Sequence, residues 1–213
     1  MRILVTGFDP FGGEKINPAY EVVKMLSDKI ENIEVIKLQV PTAFNVSIKK
    51  AVEKIKEVNP DAVLCIGQAG GRFDISVERV AINIDDARIP DNSGNQPVDT
   101  KIDEDGETAY FATIPVKAIV EGIRAEGVPA SLSNTAGTYV CNHLMYGVLN
   151  YIHKNELRIK AGFIHIPYLT EQTVNKYNTP SMSLDSMIKA IEAAIRVIAK
   201  TESDIIKSEG FIC

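Results

Sequence analysis

Cysteine is scarce in this chain, with three residues in 213, at positions 65, 141 and 213. The number is odd, the spacing is wide and no paired motif occurs. Neither a disulfide framework nor a structural zinc site is indicated, and a reducing cytoplasm is the natural setting. Long apolar runs are also missing: none approaches the roughly 18 residues needed to span a membrane. The opening Met1-Arg-Ile-Leu-Val is expected to start a strand and not a signal peptide, because the run is short and Gly7 breaks it. Positive charge is not in excess. A net charge of −5 and a pI of about 5.3 argue against a duplex-binding footprint, so nucleic acid is not an expected partner. Internal repeats, low-complexity segments and linker-like stretches are absent, so residues 1–213 are read as one domain. What remains is the composition of an ordinary globular protein, 45% hydrophobic and 24% charged.

Residues 2–6 read as a short buried strand, followed by the turn-rich loop Gly7-Phe-Asp-Pro-Phe-Gly-Gly13. This loop superficially resembles a phosphate loop, but Gly12 is followed by Gly13 and Glu14, so the lysine and the metal-binding hydroxyl are missing. Phe8 and Phe11 need something to pack on, either core or ligand. Asn17-Pro18 forms a helix start, with Asn as cap and Pro in the first position, and the expected stripe is Val22, Val23, Leu26 and Ile30. Residues 33–40 read as a strand, Ile48 to Val58 as a helix ending before Pro60, and Ala62-Val-Leu-Cys-Ile66 as a parallel strand buried on both faces.

A single strand is expected from Ile75 to Ile84. By period-two alternation it puts Glu78 on one face with Val80, Ile82 and Ile84. A carboxylate on an apolar face costs several kcal/mol unless it is paired. Its partner could be structural, such as Arg72 or Arg79, or a group whose proton matters to chemistry. The stretch from Asp85 to Gly106 reads as a long loop, functional or mobile, with Asp85 and Asp86 solvated or capping. A helix with Pro115 in its first turn, a strand at 129–133, a helix from Val140, a last strand at 162–168, a Ser183-capped helix and a frayed tail from Thr201 to Cys213 complete the reading.

Chemistry concentrates at the start of the helix after Asn134-Thr-Ala-Gly-Thr138. Cys141 falls in its first turn, where unpaired N–H groups and the macrodipole favour a thiolate. Gly137 lets the backbone turn tightly just before it. A small buried hydrophobe is the bland alternative. His143, at i+2, points away from Cys141 on a helix, so a base for the thiol is better sought at His165, near the end of its strand. With Glu78 these are the parts of nucleophilic acyl transfer: a thiol, an imidazole and an orienting carboxylate. A flavodoxin-like binding module using the Gly7 and Gly67 loops is the competing class, but it leaves Glu78 and His165 unexplained.

Seven blocks carry a resemblance to a known family: Thr6-Gly-Phe-Asp-Pro-Phe-Gly-Gly13, Asn17-Pro18, Gly67-Gln-Ala-Gly-Gly-Arg72, Glu78-Arg-Val-Ala-Ile-Asn83, Ala87-Arg-Ile-Pro-Asp91, Gly137-Thr-Tyr-Val-Cys-Asn-His143 and Gly162-Phe-Ile-His-Ile-Pro-Tyr168. On these the chain resembles the pyroglutamyl peptidase I (pyrrolidone-carboxylate peptidase) family of cysteine peptidases. The resemblance implies a single α/β domain, with a twisted, mostly parallel sheet sandwiched between helices. It implies a cytoplasmic homotetramer without cofactor or metal that removes N-terminal 5-oxoproline from peptides. By position, Cys141 would be the nucleophile, His165 the acid/base and Glu78 its orienting carboxylate. Phe8, Phe11, Asn17, Thr42, Gln68, Ile89, Tyr139 and Val140 match positions around the ring pocket, and Arg88 an arginine near the catalytic centre. Position 139 is often Phe in the family, so the Tyr139 hydroxyl needs a partner if buried.

Overall fold

The apolar run from Ala62 becomes β4 (Ala62–Gln68), the middle strand of a seven-stranded sheet. The structure, a computed structural model, describes residues 1–210; Cys213 lies outside them. Ala62, Leu64 and Ile66 of β4 belong to one hydrophobic cluster, Val63 and Cys65 to another on the opposite face. That alternation is why the run is apolar throughout: the strand has no wet face.

The chain enters through β1 (Arg2–Phe8), α1 (Pro18–Met25), β2 (Lys29–Ile30), β3 (Ile33–Val40) and α2 (Val46–Val58) before reaching β4. After β4 come β5 (Ile75–Glu78), β6 (Val80–Ile82), β7 (Ala109–Phe111), α3 (Val116–Ala125), β8 (Ala130–Ser133) and α4 (Val140–Lys154). The last elements are β9 (Lys160–Ile166), β10 (Tyr168–Leu169), β11 (Ser181–Met182) and α5 (Leu184–Lys200). Sheet order is β2-β3-β1-β4-β9-β5-β8, with β3, β1, β4 and β9 parallel to one another. β2 runs antiparallel to β3, and β5 antiparallel to β9 but parallel to β8. Apolar residues of α1, α3 and α5 cover one face, and those of α2 and α4 the other. This is the expected α/β domain with its mostly parallel sheet between helices.

Local signals account for most element ends. Asn17 caps α1 with its side chain, accepting from the Ala19 N–H at 3.0 Å, and Ser183 caps α5 in the same way on Ser186 at 3.2 Å. Several expectations need correction. The α1 stripe stops early: Leu26 is the C-cap and Ile30 belongs to β2. The single strand expected over 75–84 is two, because the chain leaves the main sheet after Glu78 and pairs as β6 with β7 in a separate ribbon. Glu78 therefore shares its face with Ser76, while Ile75 and Val77 pack into the opposite core. The strand containing His165 is followed by a further small ribbon, β10 with β11.

Two segments expected to be loose are tied down. Asp85 exchanges both backbone hydrogen bonds with Thr100, at 2.7 and 3.0 Å, and the Asp91 carboxylate accepts from the N–H groups of Phe44, Ser93 and Asn95. After α5, Asp204 accepts from the N–H groups of Lys117 and Ala118, capping the start of α3, and Glu209 pairs with Arg124 at 2.7 Å. The Asp91–Phe44, Asp204–Lys117 and Glu209–Arg124 bonds join groups far apart in sequence, whereas those of Asp91 to Ser93 and Asn95 are local.

Candidate active site

β5, β9 and the start of α4 meet on the α4 face of the sheet. In β9, Ile164 and Ile166 point into the opposite core, so Phe163 and His165 face α4. Gly67 of β4 is the register partner of His165. A Cβ built on Gly67 would lie 2.9 Å from Cys141 Sγ and 2.7 Å from the Phe163 ring. Only glycine lets the sulfur approach the sheet that closely, beside the strand that carries His165. The Phe163 and His165 rings pack against each other at 4.8 Å between centroids, tilted by 52°. His165 Nδ1 stands 2.7 Å from Glu78 Oε1, and the same oxygen accepts from Arg72 Nη1 at 2.7 Å. Both partners weighed for the buried carboxylate, the structural arginine and a group with a titratable proton, are thus present at once. Arg72 also donates to the Thr135 carbonyl at 3.2 Å, linking Glu78 to the loop before Cys141.

Burial would push the Glu78 carboxyl upward, but the hydrogen bond and charge of His165, together with Arg72 and Ser133, hold it below the ordinary carboxylate range. Oε2 of Glu78 is buried with no hydrogen-bond partner among the described residues, so Oε1 carries both contacts. The expected depression of the Cys141 thiol is overturned. Burial, and then the Glu78 charge, push it up to about 12 against an opposing pull from Arg72. Cys65 is likewise pushed up to about 12 by burial. The helix start still offers something to an anion. Tyr139 is the N-cap of α4 and no side chain caps the helix, so its first N–H groups remain available to an oxyanion. The Gly67–Gly71 loop offers less, because the Ala69 N–H is already bonded to the Ile166 carbonyl at 2.9 Å. Gly137, at φ +78°, makes the turn into α4 that other residues would resist.

A cavity of about 680 Å³ opens beside this helix start, lined by Phe11, Asp86, Arg88, Ile89, Gly137, Thr138 and Tyr139. Of the residues matched to a ring pocket, it brings together Phe11, Ile89 and Tyr139, with Arg88 exposed on the same wall. Tyr139 packs on Phe11 at 6.3 Å and donates its hydroxyl to the Pro90 carbonyl at 3.0 Å, which supplies the partner it needs. Phe8 and Val140 are core residues behind the wall, Phe8 packing on Phe163. Asn17 and Thr42 are buried and hold the glycine-rich loop. Asn17 Nδ2 and Thr42 Oγ1 both donate to the Asp9 carbonyl, at 2.8 and 3.1 Å.

Gln68, at the end of β4, has a defined orientation. The Leu169 N–H donates to Gln172 Oε1, so the Gln172 amide nitrogen is the donor to Gln68 Oε1 at 3.1 Å. The Gln68 NH₂ makes no hydrogen bond to a described residue. Sequence reasoning missed Gln172 and also Phe44, which packs edge-on against Tyr139 at 5.5 Å. Neither lies in a motif, and no local pattern marks them. A smaller cavity, about 330 Å³, lies beside Arg72, Phe73 and Ser133 toward the β8 edge and is not lined by Cys141 or His165.

A thiol and an imidazole–carboxylate pair on the same face of an α/β sheet are the equipment of a hydrolase that works through cysteine. The chain belongs to the pyroglutamyl peptidase family, whose profile matches residues 1–201. It is 74% identical over 201 residues to "Pyrrolidone-carboxylate peptidase 2" of Caldanaerobacter subterraneus subsp. tengcongensis, covering 94% of this chain and 98% of that one. Identity to the pyrrolidone-carboxylate peptidase of Clostridium perfringens is 57% over 213 residues, the full length of both. Among solved structures, pyroglutamyl peptidase I from Bacillus amyloliquefaciens superposes with a TM-score of 0.94 at 49% identity, over 97% of this chain and 99% of that one. The pyrrolidone carboxyl peptidase from Thermococcus litoralis superposes with a TM-score of 0.93 at 42% identity, over 97% and 98%.

Proposed function

We propose that the chain hydrolyses the amide bond after an N-terminal pyroglutamyl (5-oxoproline) residue of peptides, through a thioester on Cys141. The observation that carries this reading is the convergence of Cys141 Sγ, the His165 ring and Glu78 on one face of the sheet, in a chain of this family. The thiol is protonated at rest, so its proton passes to His165 Nε2 as sulfur attacks the carbonyl carbon. Glu78, accepting from Nδ1–H, orients the ring and stabilises the imidazolium that forms. The oxyanion accepts hydrogen bonds from the uncapped N–H groups at the start of α4. When the C–N bond breaks, the imidazolium returns its proton to the leaving amine. Water then attacks the thioester with His165 as base, releasing 5-oxoproline and the free thiol.

Pyroglutamate has no α-ammonium and no side-chain carboxylate, so its pocket needs aromatic walls and a few amide contacts and no counter-charge. Phe11 and Tyr139 supply walls, and the Gln68 NH₂ supplies a donor for the lactam carbonyl. Family membership supports a cytoplasmic homotetramer, and no helix among the described residues is long and apolar enough to cross a membrane. The test is hydrolysis of a pyroglutamyl chromogenic amide beside the same prolyl amide. The two rings have similar bulk, but proline lacks the lactam oxygen and brings a charged amine, and rejection of such an analogue can reach about 10⁴-fold. Equal rates on the two amides would sink the reading.

A further inference from the structure

Two residues after Cys141, His143 forms a second buried imidazole–carboxylate pair, its Nδ1 2.7 Å from Asp85 Oδ2. The histidine is 1% exposed and Asp85 5%, so the expectation of a solvated or capping carboxylate at 85 is overturned. The other ring nitrogen, Nε2, stands 2.7 Å from the backbone nitrogen of Asn45. A backbone amide can only donate, so Nε2 is the acceptor and the ring proton sits on Nδ1, donated to Asp85. One tautomer alone satisfies both neighbours.

That bond grips a strained spot. Asn45 has φ +61°, a conformation that a non-glycine residue adopts only when its surroundings impose it. The adjacent Phe44 meets the His143 ring edge-on at 5.2 Å and the Tyr139 ring edge-on at 5.5 Å. Tyr139 in turn forms the cavity wall with Phe11. A contiguous line of contacts therefore runs from Asp85 through His143 and Phe44 to the wall. Asp85, His143 and Phe44 are buried, whereas Asn45 is exposed and Tyr139 and Phe11 are half-buried at the cavity wall.

We propose that His143 is a positioning residue for the acyl pocket: held by Asp85 as the Nδ1–H tautomer, it clamps the Asn45 amide and thereby sets Phe44 and Tyr139 against the bound ring. It acts on how well the ring is held, not on bond making. The use of the cavity as the acyl pocket rests on the function proposed above; the clamp itself does not.

Two variants divide the clamp. Asparagine places its amide nitrogen near the position of Nδ1, keeping a donor for Asp85 and losing the acceptor for Asn45. Glutamine reaches the position of Nε2 and can turn its carbonyl oxygen toward the Asn45 N–H. His143→Asn is expected to raise KM for a pyroglutamyl amide about tenfold while kcat stays within about threefold, and His143→Gln to recover most of that loss. Amide exchange at Asn45 is expected to be about 100-fold slower than in an unstructured peptide in the wild type and in His143→Gln, and fast in His143→Asn. Nitrogen NMR of the wild-type imidazole should show a protonated Nδ1 and a bare Nε2.

Loss of kcat at unchanged KM, or unchanged kinetics with a merely lower melting temperature, overturns the proposal. So does rapid Asn45 exchange in the wild type, a measurement that needs no variant to fold. A wild type that cleaves no pyroglutamyl amide sinks the proposed function instead, and the exchange and tautomer measurements still decide the clamp.

Discussion

Both imidazole–carboxylate pairs in this protein are buried, and in both a carboxylate oxygen stands 2.7 Å from Nδ1. They differ at the other ring nitrogen. Nε2 of His143 is occupied by the Asn45 amide, whereas no hydrogen bond from a described residue reaches Nε2 of His165, whose ring lies beside the strand against which Cys141 Sγ rests. The carboxylates differ as well. Glu78 has Arg72 as a second partner on the oxygen that meets the ring, while Asp85 takes its remaining side-chain contacts from no described residue. A histidine–carboxylate pair thus does not by itself mark catalysis. What matters is whether the distal nitrogen is free to exchange a proton with a reactant.

The largest effect expected is from breaking the first pair or the nucleophile proposed beside it. Cys141→Ser should lose turnover by several orders of magnitude and Glu78→Gln by about 10³-fold or more, in steady-state assays on a pyroglutamyl amide. Cys65→Ser should keep wild-type turnover, because that thiol lies within β4. Comparable losses at 65 and 141, with folding intact, would dissolve the distinction drawn here.

Next in size is Arg72→Met, which removes the partner that only the first pair possesses. Arg72 is about a third exposed, so water can take over part of its role. We expect kcat to fall about 10- to 100-fold with KM little changed; an effect confined to KM would move Arg72 out of the catalytic centre.

The state of the thiol sharpens the comparison further. Because burial and Glu78 push Cys141 up to about 12, its alkylation in the free protein should rise about tenfold per pH unit between pH 7 and 9, without a plateau. A plateau reached by pH 7 would show a standing thiolate–imidazolium pair.

Smaller is the acid response. The Glu78 carboxyl is held below its unfolded value, so its stabilising contribution is present above the ordinary carboxylate range and is lost as pH falls through the folded value. The decline in stability below about pH 4 should therefore be shallower in Glu78→Gln, as read by denaturant titrations across that range. An unchanged slope contradicts the depressed carboxyl.

The smallest effect belongs to Asn17→Ala, outside both pairs. It loses a helix cap, about 1 kcal/mol, and releases the Asp9 carbonyl. Melting and substrate discrimination must be followed together. A lower melting temperature with unchanged discrimination between pyroglutamyl and prolyl amides leaves Asn17 purely structural, its Oδ1 capping α1 and its Nδ2 holding the Asp9 carbonyl.

Much of this was legible in the chain itself. The two-faced burial of β4, the Asn17 and Ser183 caps, the helix start at Cys141 and the strand placement of His165 all follow from local periodicity and capping chemistry. Glu78 was legible as an anomaly, a charge among apolar neighbours, although the strand it was assigned to proved to be two. The Asp85–His143 pair left no trace, since an aspartate in a loop and a histidine on a helix are each unremarkable. The same holds for Gln172, Phe44 and the Asp204 cap of α3.

The sequence by itself determined most of the elements, through side-chain spacing within a few turns or strands, and the fold class and family, through the seven motif blocks that resemble one family. Only the tertiary structure decided which histidine is open and which is closed, and which groups push the Cys141 thiol up or down. Those outcomes depend on contacts between residues 87 and 58 positions apart and on how completely water is excluded around them. Burial and the Glu78 charge raise the Cys141 thiol because both act on the full charge of a thiolate, and Arg72 opposes them.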